Sequence, residues 1–429
     1  MFEKIFQLKT HGTNVRTEII AGITTFMTMA YILAVNPFIL SNAGMDRDAV
    51  FTATALSSFI AIVIMALYAN LPIALAPGMG LNAFFAYTVV IQMGYNWEIA
   101  ITAVFIEGLV FILLTFFKIR EAIIDSIPMN LKHAIAVGIG LYIALIGFSN
   151  AGVVVQNDAT LVSLGNLSDP KVLLALAGIV FTGILLVFRV KGALVLGIIA
   201  TAVMGIPFGI THLPQKLISL PPSISPVFFK FDFSALFTWD MLLVIFTFLF
   251  VDLFDTVGTL VGVCSKANLL GEDGKVPRVR QALFADAIGT TAGAMLGTST
   301  VTSYIESASG VAEGGKTGLT SLVVGMLFLV SLFFAPLFLM IPSAATAPAL
   351  VLVGLFMISP IQKINLDDYS ESLPVFLTMI IMPLAYSISE GIAFGMLSYV
   401  CIKFFTGRWK QVSAVMYILA VFFILKHLL

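Results

Sequence analysis

Residues 71–90 read LPIALAPGMGLNAFFAYTVV, a stretch apolar enough to enter a membrane yet unable to continue as one helix. Pro72, Pro77, Gly78 and Gly80 each remove a helical hydrogen bond or weaken the helix. A second stretch of the same kind lies at residues 296–315, LGTSTVTSYIESASGVAEGG, where Thr, Ser and Gly replace the usual helix formers. The medium follows from composition. The 429 residues are 59% hydrophobic and 10% charged with a mean hydropathy of +1.06, against roughly 25% charged in a soluble domain. The chain reads as an all-α polytopic membrane protein, and two broken segments at membrane depth imply two half-helices meeting near its midplane. Irregular backbone is tolerated there only where it is buried in protein or lines a cavity.

Counting about 20 apolar residues per crossing, segments fall at 18–40, 49–69, 72–93, 97–117, 132–150, 170–188, 192–211, 238–264, 278–297, 298–316, 317–341, 343–358, 371–388 and 389–406. A fifteenth stretch, 411–428, is either a further crossing or an interfacial helix. With the N-terminus inside, 17 of the 22 Lys and Arg fall in inside loops, among them Lys118, Arg120 and Lys275. Only Arg47, Lys171, Lys216 and Lys230 fall outside, which supports a cytoplasmic N-terminus. The polar stretch through Glu18 leads straight into a full-length apolar segment, so a cleaved leader is not expected. The Pro/Ser-rich linker 212–237 then divides a first repeat, 1–211, from a second, 238–406, with an apolar tail at 407–429. Seven segments per half force opposite orientations, the arrangement of an inverted repeat, and the broken segments are third and tenth, corresponding positions in the two halves.

Net charge is −1, with no basic tail, zinc spacing or phosphate loop, so no nucleic acid, metal or cofactor is expected. Cys264 and Cys401 are isolated, and His11, His133, His212 and His427 lie at segment borders or in polar stretches. The chemistry is carried by embedded carboxylates, each costing at least about 2.5–3.5 kcal/mol in a bilayer. In FLFVDLFDTVGTLVG (248–262), Asp252, Asp255 and Thr259 follow i, i+3, i+7 and share one helical face. Glu306 sits in the tenth segment among Ser303, Tyr304, Ser307 and Ser309; Asn82 sits in the third, two residues before Phe84. Together they outline a pocket in which carboxylates bind a small polar solute and a ring covers its flat face. Glu107 and Asp286 are also embedded, but away from a broken helix, and packing or hydrogen bonding is their expected role. An embedded carboxyl that takes and releases a proton suits proton coupling; sodium, liganded by the same oxygens, is the alternative.

Four blocks, AGITTFMTMAYILAVNP (21–37), APGMGLNAFFAYTV (76–89), VDLFDTVGTLVGV (251–263) and TSTVTSYIESASGVAEGGKTGLTS (298–321), resemble signatures of the AzgA-like purine permeases. These belong to the nucleobase-ascorbate transporter superfamily, also called nucleobase:cation symporter-2. The resemblance implies fourteen crossings, with a core domain (18–117 plus 238–341), a gate domain (119–211 plus 343–406) and short antiparallel strands in segments 3 and 10. By the same resemblance Asp255, Glu306 and Asn82 would bind the substrate and Asp252 would orient the site or take part in proton coupling; from their positions beside these residues, Phe84 and Ser303 are expected to join the substrate pocket and Thr259 to support it. A purine fits, since ring N–H groups pair with carboxylates and its face stacks on Phe. Import of hypoxanthine or guanine, with adenine next, across the cell membrane by a homodimer is the expectation. Three rivals remain: an anion transporter of the same fold, which favours a cation or neutral residue at its site; a channel, which does not need two broken helices; and an enzyme, for which neither HExxH nor GxSxG is present.

Overall fold

The computed structural model describes residues 2–117, 127–157, 159–214, 216–267, 269 and 276–428. Lys118, Arg120, Lys275 and the proposed gate boundary at 119 lie outside the described residues. In chain order the elements are α1 (Val15–Met29), α2 (Ile32–Ser41) and α3 (Arg47–Ile64). Strand β1 (Leu75–Pro77) then leads into α4 (Met79–Ala83), which continues as a wider π-type helix, Phe84–Gln92. Next come α5 (Trp97–Phe117), α6 (Met129–Asn150), the hairpin β2 (Val154–Asn157) and β3 (Leu161–Leu164), α7 (Pro170–Val187) and α8 (Ala193–Met204). The second half holds α9 (Trp239–Lys266), α10 (Val279–Leu296), β4 (Val301–Ser303), α11 (Ser307–Ala312) and α12 (Gly318–Ser331). It ends with α13 (Ser343–Ile358), α14 (Tyr369–Leu384), α15 (Ile388–Phe405) and α16 (Ala414–Leu428).

Helix starts are written in polar side chains that accept orphan N–H groups. Asn14 accepts from Thr17 at 3.0 Å, Asp46 from Ala49 at 2.8 Å, and Asp169, followed by Pro170, from Lys171 at 2.8 Å. Among the described residues nine helices are long and apolar enough to cross a membrane, so the chain is a multi-pass membrane protein. Fewer than fourteen segments qualify because 72–93 and 298–316 are split by β1 and β4, because α8 and α14 are shorter than a full crossing, and because α10, which carries Arg280, Gln281 and Asp286, is long but not apolar enough. The stretch left open at the C-terminus is a helix, α16. It packs on α15 and sets Phe423 edge-on to Phe246 of α9, ring centres 5.8 Å apart.

The packing repeats itself. Exchanging each element of the first half for its counterpart in the second (α1 for α9, α3 for α10, α5 for α12, α6 for α13, α7 for α14, α8 for α15) maps contacts onto contacts. Thus α5 packs on α10 as α12 packs on α3, α1 on α12 as α9 on α5, and α6 on α14 as α13 on α7. The pairs α3–α10 and α6–α13 exchange into themselves. The centre of this twofold pattern is the antiparallel pair β1–β4.

Small residues set the close approaches. A Cβ on Gly310 of α11 would overlap the Thr25 hydroxyl and the Ala21 carbonyl of α1. Overpacking of this kind costs about 1–3 kcal/mol, so Gly310→Ala is expected to lower the thermal midpoint of the detergent-purified protein by several degrees.

Candidate functional site

The site is built on the strand crossing. Leu75 faces Ser303, Ala76 faces Thr302 and Pro77 faces Val301. The β-branched residues of TSTVTS suit an extended backbone. Pro77, without an N–H, contributes only its carbonyl, which accepts from the Tyr304 hydroxyl at 2.5 Å. The Gly78 N–H to the Thr300 carbonyl and the Tyr304 N–H to the Ala74 carbonyl, both 2.9 Å, extend the pairing at its two ends. A Cβ on Gly78 would come within 2.9 Å of the Thr302 hydroxyl, so glycine is what lets the chains approach here.

Asp255 and Glu306 meet at this crossing. The Thr302 hydroxyl donates to Asp255 Oδ2 at 3.4 Å. Each of the two acidic residues is only partly buried. The Tyr31 hydroxyl, from the break between α1 and α2, donates to Glu306 Oε1 at 2.7 Å. The Glu306 carbonyl accepts from Ser309 Oγ at 2.6 Å, and Ser309 Oγ lies 2.9 Å from Thr28 Oγ1.

The other sequence candidates occupy different surroundings. Asp252 does not share the environment of Asp255. It is fully buried between α9 and α10, where the Thr256 hydroxyl lies 3.1 Å from Asp252 Oδ1 and 2.8 Å from Asp286 Oδ1. An i, i+3 offset turns the two carboxylates by about 60° around the helix, enough to give them different neighbours. Thr259 is buried one turn beyond Asp255. Asn82 is fully buried and accepts a short hydrogen bond from the Ser299 hydroxyl, tying α4 to the second half. Among the described residues Asn82 Nδ2 and Ser303 Oγ have no hydrogen-bond partner. Phe84 is buried edge-on against Phe248, ring centres 4.9 Å apart. It borders a cavity of about 340 Å³, also lined by Thr88, Gln92, Asp240, Ser387 and Glu390.

Several residues of this region escaped the sequence reading. Glu107, expected only to pack or hydrogen-bond, does hydrogen-bond, but at the broken segment itself: it accepts from the Thr300 hydroxyl at 2.7 Å, immediately before β4. Asn36, fully buried beside Pro37, donates to Thr54 at 2.7 Å and Thr298 at 2.9 Å. Its presence in an apolar run was a signal available in the sequence. Tyr31 carries no such signal, being one of 10 tyrosines.

Known proteins share this architecture and sequence. The transmembrane domain of a cyanobacterial bicarbonate transporter superposes with a TM-score of 0.67 at 18% identity, covering 88% of this chain and 97% of that one, a likeness of fold alone. An adenine permease of Escherichia coli is 47% identical over 426 residues, 99% of this chain and 96% of that protein. A guanine/hypoxanthine permease of Bacillus subtilis is 47% identical over 431 residues, 98% of each. The sequence pattern of the Permease family matches residues 16–394. With blocks, fold and relatives in agreement, this chain belongs to the Permease family, that of the nucleobase-ascorbate transporters, and is a transporter rather than an enzyme.

Proposed function

We propose that the chain imports purine nucleobases, hypoxanthine and guanine before adenine, by proton symport with alternating access. The observation that carries this reading is that two acids stand at a crossing of two broken segments, Asp255 bonded to Thr302 of β4 and Glu306 three residues beyond that strand. Carboxylate oxygens accept from the ring N–H groups of a purine, and charged hydrogen bonds are worth about 1.5–3 kcal/mol each. Asn82 Nδ2 and Ser303 Oγ, buried without partners among the described residues, offer further polar contacts, and Phe84, two residues after Asn82, offers a ring. The names of the E. coli and B. subtilis relatives favour the same substrate class.

In this reading the chain makes fourteen crossings as two inverted repeats with a cytoplasmic N-terminus. Helices α1–α5 and α9–α12 form the core, and α6–α8 with α13–α15 form the gate, which moves against it. Two contacts lie on that boundary: the Lys191–Glu313 ion pair at 2.5 Å, and Gly80, where a Cβ would come within 2.8 Å of Ile139. Asp252, Thr256 and Asp286 make a buried acid cluster beside the site, suited to proton coupling; sodium is the alternative ion. Equilibrium binding of tritiated hypoxanthine, guanine and adenine to the purified protein tests the substrate. Saturable binding of at least one, competed by the unlabelled base and not by bicarbonate, is expected. Binding of an inorganic anion instead would replace the reading with an anion transporter.

A further inference from the structure

Beyond the strand crossing, the π-type helix Phe84–Gln92 is tied to three other elements by side chains. The Tyr87 hydroxyl accepts from Asn42 Nδ2, just past α2, at 3.0 Å and from Asn150 Nδ2, the last residue of α6, at 2.9 Å. Thr88 Oγ1 donates to the Tyr386 carbonyl at 3.1 Å and lies 3.2 Å from the Tyr142 hydroxyl of α6, while Gln92 Nε2 donates to the Ala385 carbonyl at 3.3 Å. The Tyr386 ring stands edge-on to those of Tyr87 and Tyr142, centres 6.3 and 5.5 Å apart. Tyr386 occupies the turn between α14 and α15 at φ +54°, a left-handed conformation that a non-glycine residue keeps only where its surroundings hold it.

Asn42, Tyr87, Asn150 and Tyr386 stand at the far ends of the first, third, fifth and thirteenth segments, which all run the same way, so these residues gather on one side of the membrane. With a cytoplasmic N-terminus that side is the outer one. Asn42, Tyr87, Thr88 and Gln92 belong to the core; Tyr142, Asn150, Ala385 and Tyr386 belong to the gate. The bonds from Tyr87 to Asn150, Thr88 to Tyr386 and Gln92 to Ala385 therefore cross the boundary that moves. The cavity of about 340 Å³ beside them has walls from both bodies, Gln92 and Asp240 on one side, Ser387 and Glu390 on the other. At the inner end the same boundary is crossed by the Lys191–Glu313 pair, whose side chains are 55% and 28% exposed, and an exposed ion pair holds little. We infer that Tyr87, with Thr88 beside it, is the latch that keeps the outer route to the strand crossing closed: the Tyr87 hydroxyl stays with Asn42 and lets go of Asn150 when the gate moves to admit substrate. The inference rests on the core, gate and orientation given above.

The test is the rate at which a membrane-impermeant maleimide, applied outside intact cells, modifies Ser387→Cys, a position 4% exposed in the closed arrangement. Replacing the chain's two cysteines, Cys264 and Cys401, by alanine leaves it the sole thiol. Tyr87→Phe keeps the ring and removes the hydroxyl; Thr88→Val keeps the shape and removes the donor. Each takes one neutral hydrogen bond from the closed state alone, so each is expected to speed modification about fivefold, and the double variant to react faster still. Because more of the protein then waits open to the outside, KM for purine uptake is expected to fall in the same variants. A merely structural tyrosine gives neither change. Unchanged or slower modification in Tyr87→Phe and Thr88→Val, both folded and at the surface, overturns the inference; if Tyr87→Phe does not fold, Thr88→Val decides alone. Modification of Ser387→Cys only from the cytoplasmic side refutes the orientation and overturns the inference with it. Labelling needs no substrate, so a failure of the purine reading is seen separately, as uptake of no base by the wild type.

Discussion

Asp255→Asn is expected to reduce purine uptake at least about 100-fold at unchanged expression. The substitution removes a charged acceptor worth about 1.5–3 kcal/mol. It can also turn an amide donor toward a ring N–H, and a site built for one polarity rejects the other by larger factors still. The loss is expected in Vmax and KM together, because in the proposed reading the same carboxylate binds the base and stands at the strand crossing beside Thr302. Asp255→Glu, which keeps the charge but moves it by one methylene, is expected to retain measurable transport with a raised KM. Uptake by Asp255→Asn within a few-fold of wild type would place the substrate elsewhere.

The largest expected effect on stability belongs to Glu18. Its side chain is fully buried where α1 meets the start of α12, and it accepts from the N–H groups of Lys316 at 3.0 Å, Thr317 at 3.3 Å and Thr320 at 3.1 Å, and from the Thr320 hydroxyl at 2.6 Å. It therefore caps α12 from a different helix, supplying negative charge where the helix N-terminus favours it. Glu18→Ala strands these buried donors at about 1–3 kcal/mol each. The summed loss rivals the total stability of a typical domain. The variant is expected to express poorly and to lose its folded peak in detergent gel filtration. Glu18→Gln, which keeps one acceptor oxygen, is expected to fall between it and the wild type in thermal midpoint. A wild-type midpoint for Glu18→Ala would show that these hydrogen bonds contribute little.

Glu18 also marks where sequence reasoning stopped. It stands at the first residue of the first apolar segment, where a carboxylate reads as a solvated border residue, and only the tertiary approach of α12 buries it. The broken segments were legible because Pro77 and Gly78 act locally: one lacks an N–H, the other lacks a Cβ, and both effects are written in the residue itself. Asp255 and Glu306 were legible for a related reason, since an ionisable group in an apolar run demands a partner wherever the chain goes. Which partner is a different matter. Periodicity set Asp252 and Asp255 on one face, yet their neighbours, Asp286 on α10 and Thr302 on β4, come from segments whose placement no local pattern encodes. Glu107 has no broken helix around it in its own segment, and its partner at one, Thr300, is 193 residues away along the chain, a pairing no local pattern encodes. Tyr31 was invisible because a tyrosine in an apolar segment is ordinary until its hydroxyl is seen to point at an acid.

Uptake into liposomes containing only the purified protein tests the central claim most directly. Tritiated hypoxanthine, guanine and adenine would be offered with an inward proton gradient, with an inward sodium gradient, and with neither. Accumulation of at least one purine above its outside concentration, driven by the proton gradient, abolished by a protonophore and absent with Asp255→Asn, is the predicted result. No accumulation of any purine under either gradient, from protein that remains folded and monodisperse, would contradict it.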